Sequence, residues 1–156
     1  MRARIALAGL VLLFIPVGLM AAENPYLGVW KLNLAKSKFD PGPPPKSILI
    51  KVEPTGANSV KRIQDVVRAN GEKIHDEIDY TFDGKEYPVP NSQFFDTMVS
   101  RQIDAYTTER IFKKSGKIVN TVQRAVSKDG KTLTITDKGM NTQGRQHDTF
   151  EVYDKQ

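Results

Sequence analysis

The sequence predicts an all-β protein: an antiparallel up-and-down β-barrel of about eight to ten strands. Three observations predict it. Glycine turns recur along the chain, at Gly56, Asn70-Gly71, Asp83-Gly84, Ser115-Gly116, Asp129-Gly130 and Gln143-Gly144, and Asn-Gly and Asp-Gly supply the positive φ angles of tight hairpins. The segments between them are rich in β-branched and aromatic residues and alternate apolar with polar side chains. After the first 22 residues, no long window repeats its apolar residues at the 3.6-residue helical period. A two-sheet sandwich is the competing arrangement. Sequential tight hairpins favour the barrel, because rolling the sheet up removes exposed strand edges.

The elements follow in order. Residues 1–22 read as a secretory signal peptide: Arg2 and Arg4 precede an apolar run from Ile5 to Leu19, and Ala21-Ala22 offers a cleavage site. That run is shorter than the roughly 20 residues a membrane-crossing helix needs. Residues 23–156 then form one domain, and the protein is expected to be exported to the periplasm or the extracellular space. Trp30, Leu32 and Leu34 line one face of a first strand; Ile48, Ile50 and Val52 line the next. Between them, Pro41-Gly42-Pro43-Pro44-Pro45 lacks backbone donors and favours an extended surface strap. Over 72–82, Ile74, Ile78, Tyr80 and Phe82 share one face, and Lys73, His75, Glu77, Asp79 and Thr81 the other. The longer interval that follows breaks at Pro88 to Ser92 and near Asp104-Ala105, with a short helical turn expected over 91–97. Ile118, Val122 and Val126 continue the apolar face, followed by Leu133 and Ile135.

Composition narrows the function. Of 156 residues, 39% are hydrophobic and 26% charged, values typical of a folded globular chain. Cysteine is absent, which excludes disulfides, thiolate metal sites, thiol nucleophiles and a lipid-modified cysteine. No G-x-S-x-G elbow, phosphate-binding glycine loop or H-E-x-x-H helix occurs, so the reading is of a non-enzyme with no cofactor. His75, Glu77 and Asp79 alternate on a polar strand face and read as solvated rather than metal-binding. The net charge of +5 is scattered among acidic residues, which argues against a nucleic-acid partner.

Gly28-Val29-Trp30 at the first strand resembles the G-x-W signature of lipocalins and the wider calycin group. The chain from Asn24 to Gln156 is similar to small exported bacterial lipocalin-like proteins, mostly of unassigned function. The similar pieces are Gly28-Val29-Trp30-Lys31-Leu32-Asn33, Ser37-Lys38-Phe39, Phe82-Asp83-Gly84-Lys85-Glu86-Tyr87-Pro88 and Ser127-Lys128-Asp129-Gly130-Lys131-Thr132-Leu133. The ending from Phe150 to Lys155 looks like the last strand of fatty-acid-binding-type barrels. The resemblance implies a barrel that holds a small molecule. Of the R-x-Y clamp on that strand Tyr153 is present, but Glu151 stands where the arginine would be, and the proline strap replaces a helical lid.

If the apolar faces point inward, polar residues go with them. Asp76 lies between Ile74 and Ile78; Asn120 and Arg124 interleave with Ile118, Val122 and Val126; Arg110 shares parity with Tyr106 and Phe112. Buried charge must pair, reach water or await a ligand. One reading makes Arg110 and Arg124 a cradle for an acidic head group, walled by Tyr80, Tyr106 and Phe112, with Asp76, Asn120 and Tyr153 completing the candidate ligand site. The other is an internal Asp–Arg pair, or a bulge that turns these side chains outward. The expected function is to carry an apolar or amphipathic small molecule. The alternative is a structural or interaction module of the cell envelope with a filled core, and interior volume separates the two.

Overall fold

The alternating segments settle into ten antiparallel strands in a computed structural model, which describes residues 24–89, 92–141 and 143–156. They are β1 (Gly28–Leu32), β2 (Ser47–Gly56), β3 (Ser59–Val67), β4 (Lys73–Thr81), β5 (Asp83–Pro88), β6 (Thr97–Gln102), β7 (Thr107–Lys114), β8 (Lys117–Val126), β9 (Thr132–Met140) and β10 (Gln146–Lys155). The proposed signal peptide lies outside the described residues. All ten strands form one sheet in the order β4-β3-β2-β1-β10-β9-β8-β7-β6-β5. Each strand pairs with its sequence neighbour, except that β1 closes on β10 and β4 forms no ladder with β5. The sheet rolls into a nearly closed barrel.

One face of the sheet is the core. Trp30, Ile50, Val60, Leu133 and Tyr153 are fully buried there, and the Trp30 indole N–H donates to the Tyr26 carbonyl at 2.9 Å. Ile48, Val52, Tyr80, Val122, Val126 and Ile135 join the same cluster. Antiparallel winding sorts the connections between two ends. The proline strap, the β3–β4 turn, the β5–β6 loop and the β9–β10 turn share the mouth. The N-terminal segment and the β2–β3, β6–β7 and β8–β9 turns share the base.

Five expectations are corrected. Leu34 leaves the sheet in a 3-10 turn over Leu34–Lys36 and is exposed. Ile118 is 62% exposed, because the β7–β8 register shifts at Phe112/Lys113 and the resulting bulge turns Ile118 outward. Asp83-Gly84 is not a hairpin turn: Gly84, at φ +73°, lies in an irregular stretch of β5. The described residues of 91–97 make no helix; the Ser92 hydroxyl instead accepts from the Phe94 and Phe95 amides. Finally, rolling up does not remove every edge, since β4 and β5 remain unpaired with each other.

Candidate functional site

Two-residue periodicity carries polar side chains inward along with the apolar ones, and they converge on a cavity of about 350 Å³. Asp76 and Tyr80 reach it from β4, Arg110 and Phe112 from β7, Asn120 and Arg124 from β8, and Tyr153 from β10. The eighth candidate does not. Tyr106 lies in the turn before β7, is exposed, and its carbonyl accepts from the Val126 amide at the base. Strand alternation cannot be extended through a turn, so its parity with Arg110 was no guide to its direction.

The three arginines of the cavity differ in what compensates them. Arg62 of β3 donates through Nε to the Tyr80 hydroxyl at 2.8 Å and through Nη2 to Asp76 at 2.5 Å. This is the internal Asp–Arg pair that the sequence left open, but it uses Arg62. Arg110 is 4% exposed, donates through Nε to the Ser100 hydroxyl at 3.0 Å, and lays its guanidinium 3.5 Å from the centre of the Tyr80 ring. Arg124 is 8% exposed and stands 5.7 Å from the same ring. Neither makes an ion pair among the described residues, and Arg110 Nη2, Arg124 Nε and Arg124 Nη1 are buried without a protein hydrogen-bond partner.

The electrostatics follow from this imbalance. Burial pushes the Arg110 guanidinium down to about 10, with the nearby Arg124 charge adding to the effect. Burial would raise the Tyr80 phenol, but Arg110, Arg124 and Arg62 together hold it below its ordinary value. Glu151 accepts from the Tyr153 hydroxyl at 2.5 Å; burial holds its carboxyl above the ordinary range. Tyr153 in turn is pushed well above the usual phenol value by burial and by Glu151.

Toward the mouth, Asn120 donates to Asp137 at 2.9 Å and to the Met140 carbonyl at 3.1 Å, while His147 of β10 sets Nε2 2.8 Å from the same Asp137 oxygen. Beyond this neck opens a second chamber of about 560 Å³, bounded by Pro41, Pro43 and Pro45 of the strap, the β3–β4 turn and the β9–β10 turn. Asn141 and His147 line both chambers. After β5, Phe95 is buried and stacks on Phe112 at 4.6 Å, and Phe94 packs against Gly144 of the β9–β10 turn.

No protein-family model matches the chain, and no curated protein sequence matches it either. Solved structures do. The fluorescent protein UnaG aligns over 84% of this chain and 97% of its own, at TM-score 0.56 and 10% identity. A Schistosoma mansoni fatty acid binding protein in complex with arachidonic acid covers 85% and 96%, at TM-score 0.55 and 13% identity. Zebrafish ileal bile acid-binding protein complexed with cholic acid covers 85% and 99%, at TM-score 0.50 and 12% identity. The fold is a calycin-type barrel. At these identities the likeness speaks for the architecture alone.

Within this barrel, sequence reasoning missed Arg62, Asp137, His147 and Glu151 as cavity residues. A signal was present. Arg62 and Gln64 fall between inward Val60 and Val66, Asp137 extends the Leu133–Ile135 step, and His147 and Glu151 share parity with Tyr153. On the outer face, His75 is exposed and contacts Asp65 at 2.7 Å and Glu77 at 3.4 Å. Asp79 pairs with Lys61 in register on the same exposed side.

Proposed function

We propose that this chain is an exported, non-catalytic carrier whose barrel holds an amphipathic small acid, with the acidic group at Arg110 and Arg124. The observation that carries the reading is the pair of buried guanidinium groups on adjacent strands with three unpartnered nitrogens and, among the described residues, no carboxylate paired to either. Cations in that state bind an anion with charge-assisted hydrogen bonds. Tyr80, Phe112, Val122 and Ile135 supply the apolar wall beside it. The cavity of about 350 Å³ lies at the small end of the range for ligand pockets, and it argues against a filled core. Two of the solved structures of this fold hold arachidonic acid and cholic acid, which supports an acid as ligand. The apolar run behind Arg2 and Arg4 supports export.

Native mass spectrometry of protein purified from its own cell, followed by titration with a fluorescent fatty acid, tests the reading. A co-purifying acid, or saturable binding that Arg124→Gln weakens at least tenfold, is the expected result. Ligand-free protein that also fails to bind the probe would defeat it.

A further inference from the structure

The inner chamber holds two polar stations of opposite character. Near the base, Arg110 and Arg124 offer only donors. At the neck the unmet groups are acceptors. Asn120 is 4% exposed, and both hydrogen bonds of its amide nitrogen go to oxygens, Asp137 and the Met140 carbonyl. That pattern fixes the amide's orientation and leaves Oδ1 buried without a protein partner. His147, with its side chain 9% exposed, directs Nε2 at the Asp137 carboxylate. A proton on Nε2 makes Nδ1 the acceptor of the neutral ring, and Nδ1 is likewise buried and unpartnered. The two groups stand at one level, because Asn120 and His147 are both in register with Gly139 from opposite sides.

We infer that the ligand is an elongated hydroxy acid: its acidic group meets Arg110 and Arg124, and a hydroxyl farther along its length sits at the neck and shares its single proton, as a three-centre bond, between the acceptors Asn120 Oδ1 and His147 Nδ1. This inference rests on the carrier reading above. Asn120 and Arg124 are four residues apart on β8, about 13 Å at roughly 3.3 Å per residue, which sets the spacing between the two polar groups. Val122 and Ile135 line the wall between them, so the intervening part of the ligand is apolar. A simple fatty acid carries no donor and would leave both neck acceptors unmet. Because Asn141 and His147 border both chambers, the portion beyond the hydroxyl runs into the outer chamber against the prolines.

Isothermal titration of the protein with dodecanoate, 12-hydroxydodecanoate and 12-methoxydodecanoate tests the assignment, since the methoxy group accepts but cannot donate. The hydroxy acid should bind at least tenfold more tightly than the other two. Asn120→Ala and His147→Phe should each reduce that preference at least threefold, and His147→Gln, which keeps an acceptor, should restore part of it. Should these variants fail to fold by circular dichroism, the three-probe comparison on the unaltered protein decides alone. Equal affinity for the hydroxy and methoxy acids, with Arg124-dependent dodecanoate binding intact, overturns the hydroxyl assignment and leaves the carrier reading standing. Absence of binding by all three overturns both.

Discussion

Replacing Arg110 by methionine separates a residue kept for a ligand from one kept for the fold. Its guanidinium is pushed well below the ordinary arginine value, to about 10, by burial and by Arg124. At 1.36 kcal/mol per pH unit, that corresponds to roughly 3 kcal/mol against the charged form. The penalty is present in full at neutral pH, which lies below both values, and lessens only as pH rises through the folded value. Against it stand the stacking on Tyr80, about 1 kcal/mol, and the Ser100 hydroxyl that would lose its donor, about 1 to 3 kcal/mol. These terms nearly cancel, so the stability of Arg110→Met should lie within about 1 kcal/mol of the parent, in either direction. Removing one partner of a buried structural ion pair instead costs about 3 to 5 kcal/mol. Urea denaturation reads the difference directly, as a midpoint within about 0.5 M of the parent's at constant slope. Binding of a fluorescent fatty acid should fall at least tenfold in the same variant. A loss of 3 kcal/mol or more would refute the argument, because it would mean that the charge is compensated within the fold.

Gly139 has φ +124°, and an added Cβ would overlap the Val119 carbonyl oxygen and lie 2.8 Å from the Asn120 Cα. Gly139→Ala should therefore cost about 3 kcal/mol or more by urea denaturation. Because burial holds the Glu151 carboxyl above its ordinary value, the folded state binds that proton more tightly than the unfolded chain does. Stability contributed there falls as pH rises past the unfolded value. Glu151→Gln should raise the melting temperature at pH 8, with the gain vanishing near pH 4. Hydrogen bonds that the His75 ring donates to Asp65 and Glu77 hold this exposed histidine above its ordinary 6.5, so its NMR titration midpoint should lie higher and move back toward 6.5 in Asp65→Asn.

The barrel was legible because its information is local. Ile48, Ile50 and Val52 alternate in sequence and are buried together, and Gly71, Gly116, Gly130 and Gly144 all adopt the positive φ that their turns require. Seven of the eight candidate side chains line one cavity for the same reason, since strand parity carries them there. Parity fails wherever the ladder slips. The bulge opposite Phe112/Lys113 turns Ile118 to solvent and brings the Val119 carbonyl against Gly139; nothing local to residues 117–120 announces a register shift set by the neighbouring strand. The pairing of Arg62 with Asp76 was equally hidden, because it depends on the β3–β4 register and not on either segment alone. The missing β4–β5 ladder is a property of the whole rolled sheet, and the Asp83-Gly84 dipeptide pointed the wrong way.

That seam has a mechanical consequence. Everywhere else the circumference is stitched by inter-strand hydrogen bonds, and stretching it would cost several at once. Between β4 and β5 the wall can part without losing any. Under the carrier reading proposed above, a ligand bulkier than the lumen would be admitted at this side, where the main cross-seam contact to give way is the Arg110 guanidinium stacked on Tyr80, while the β1–β10 closure on the far side keeps the cylinder intact.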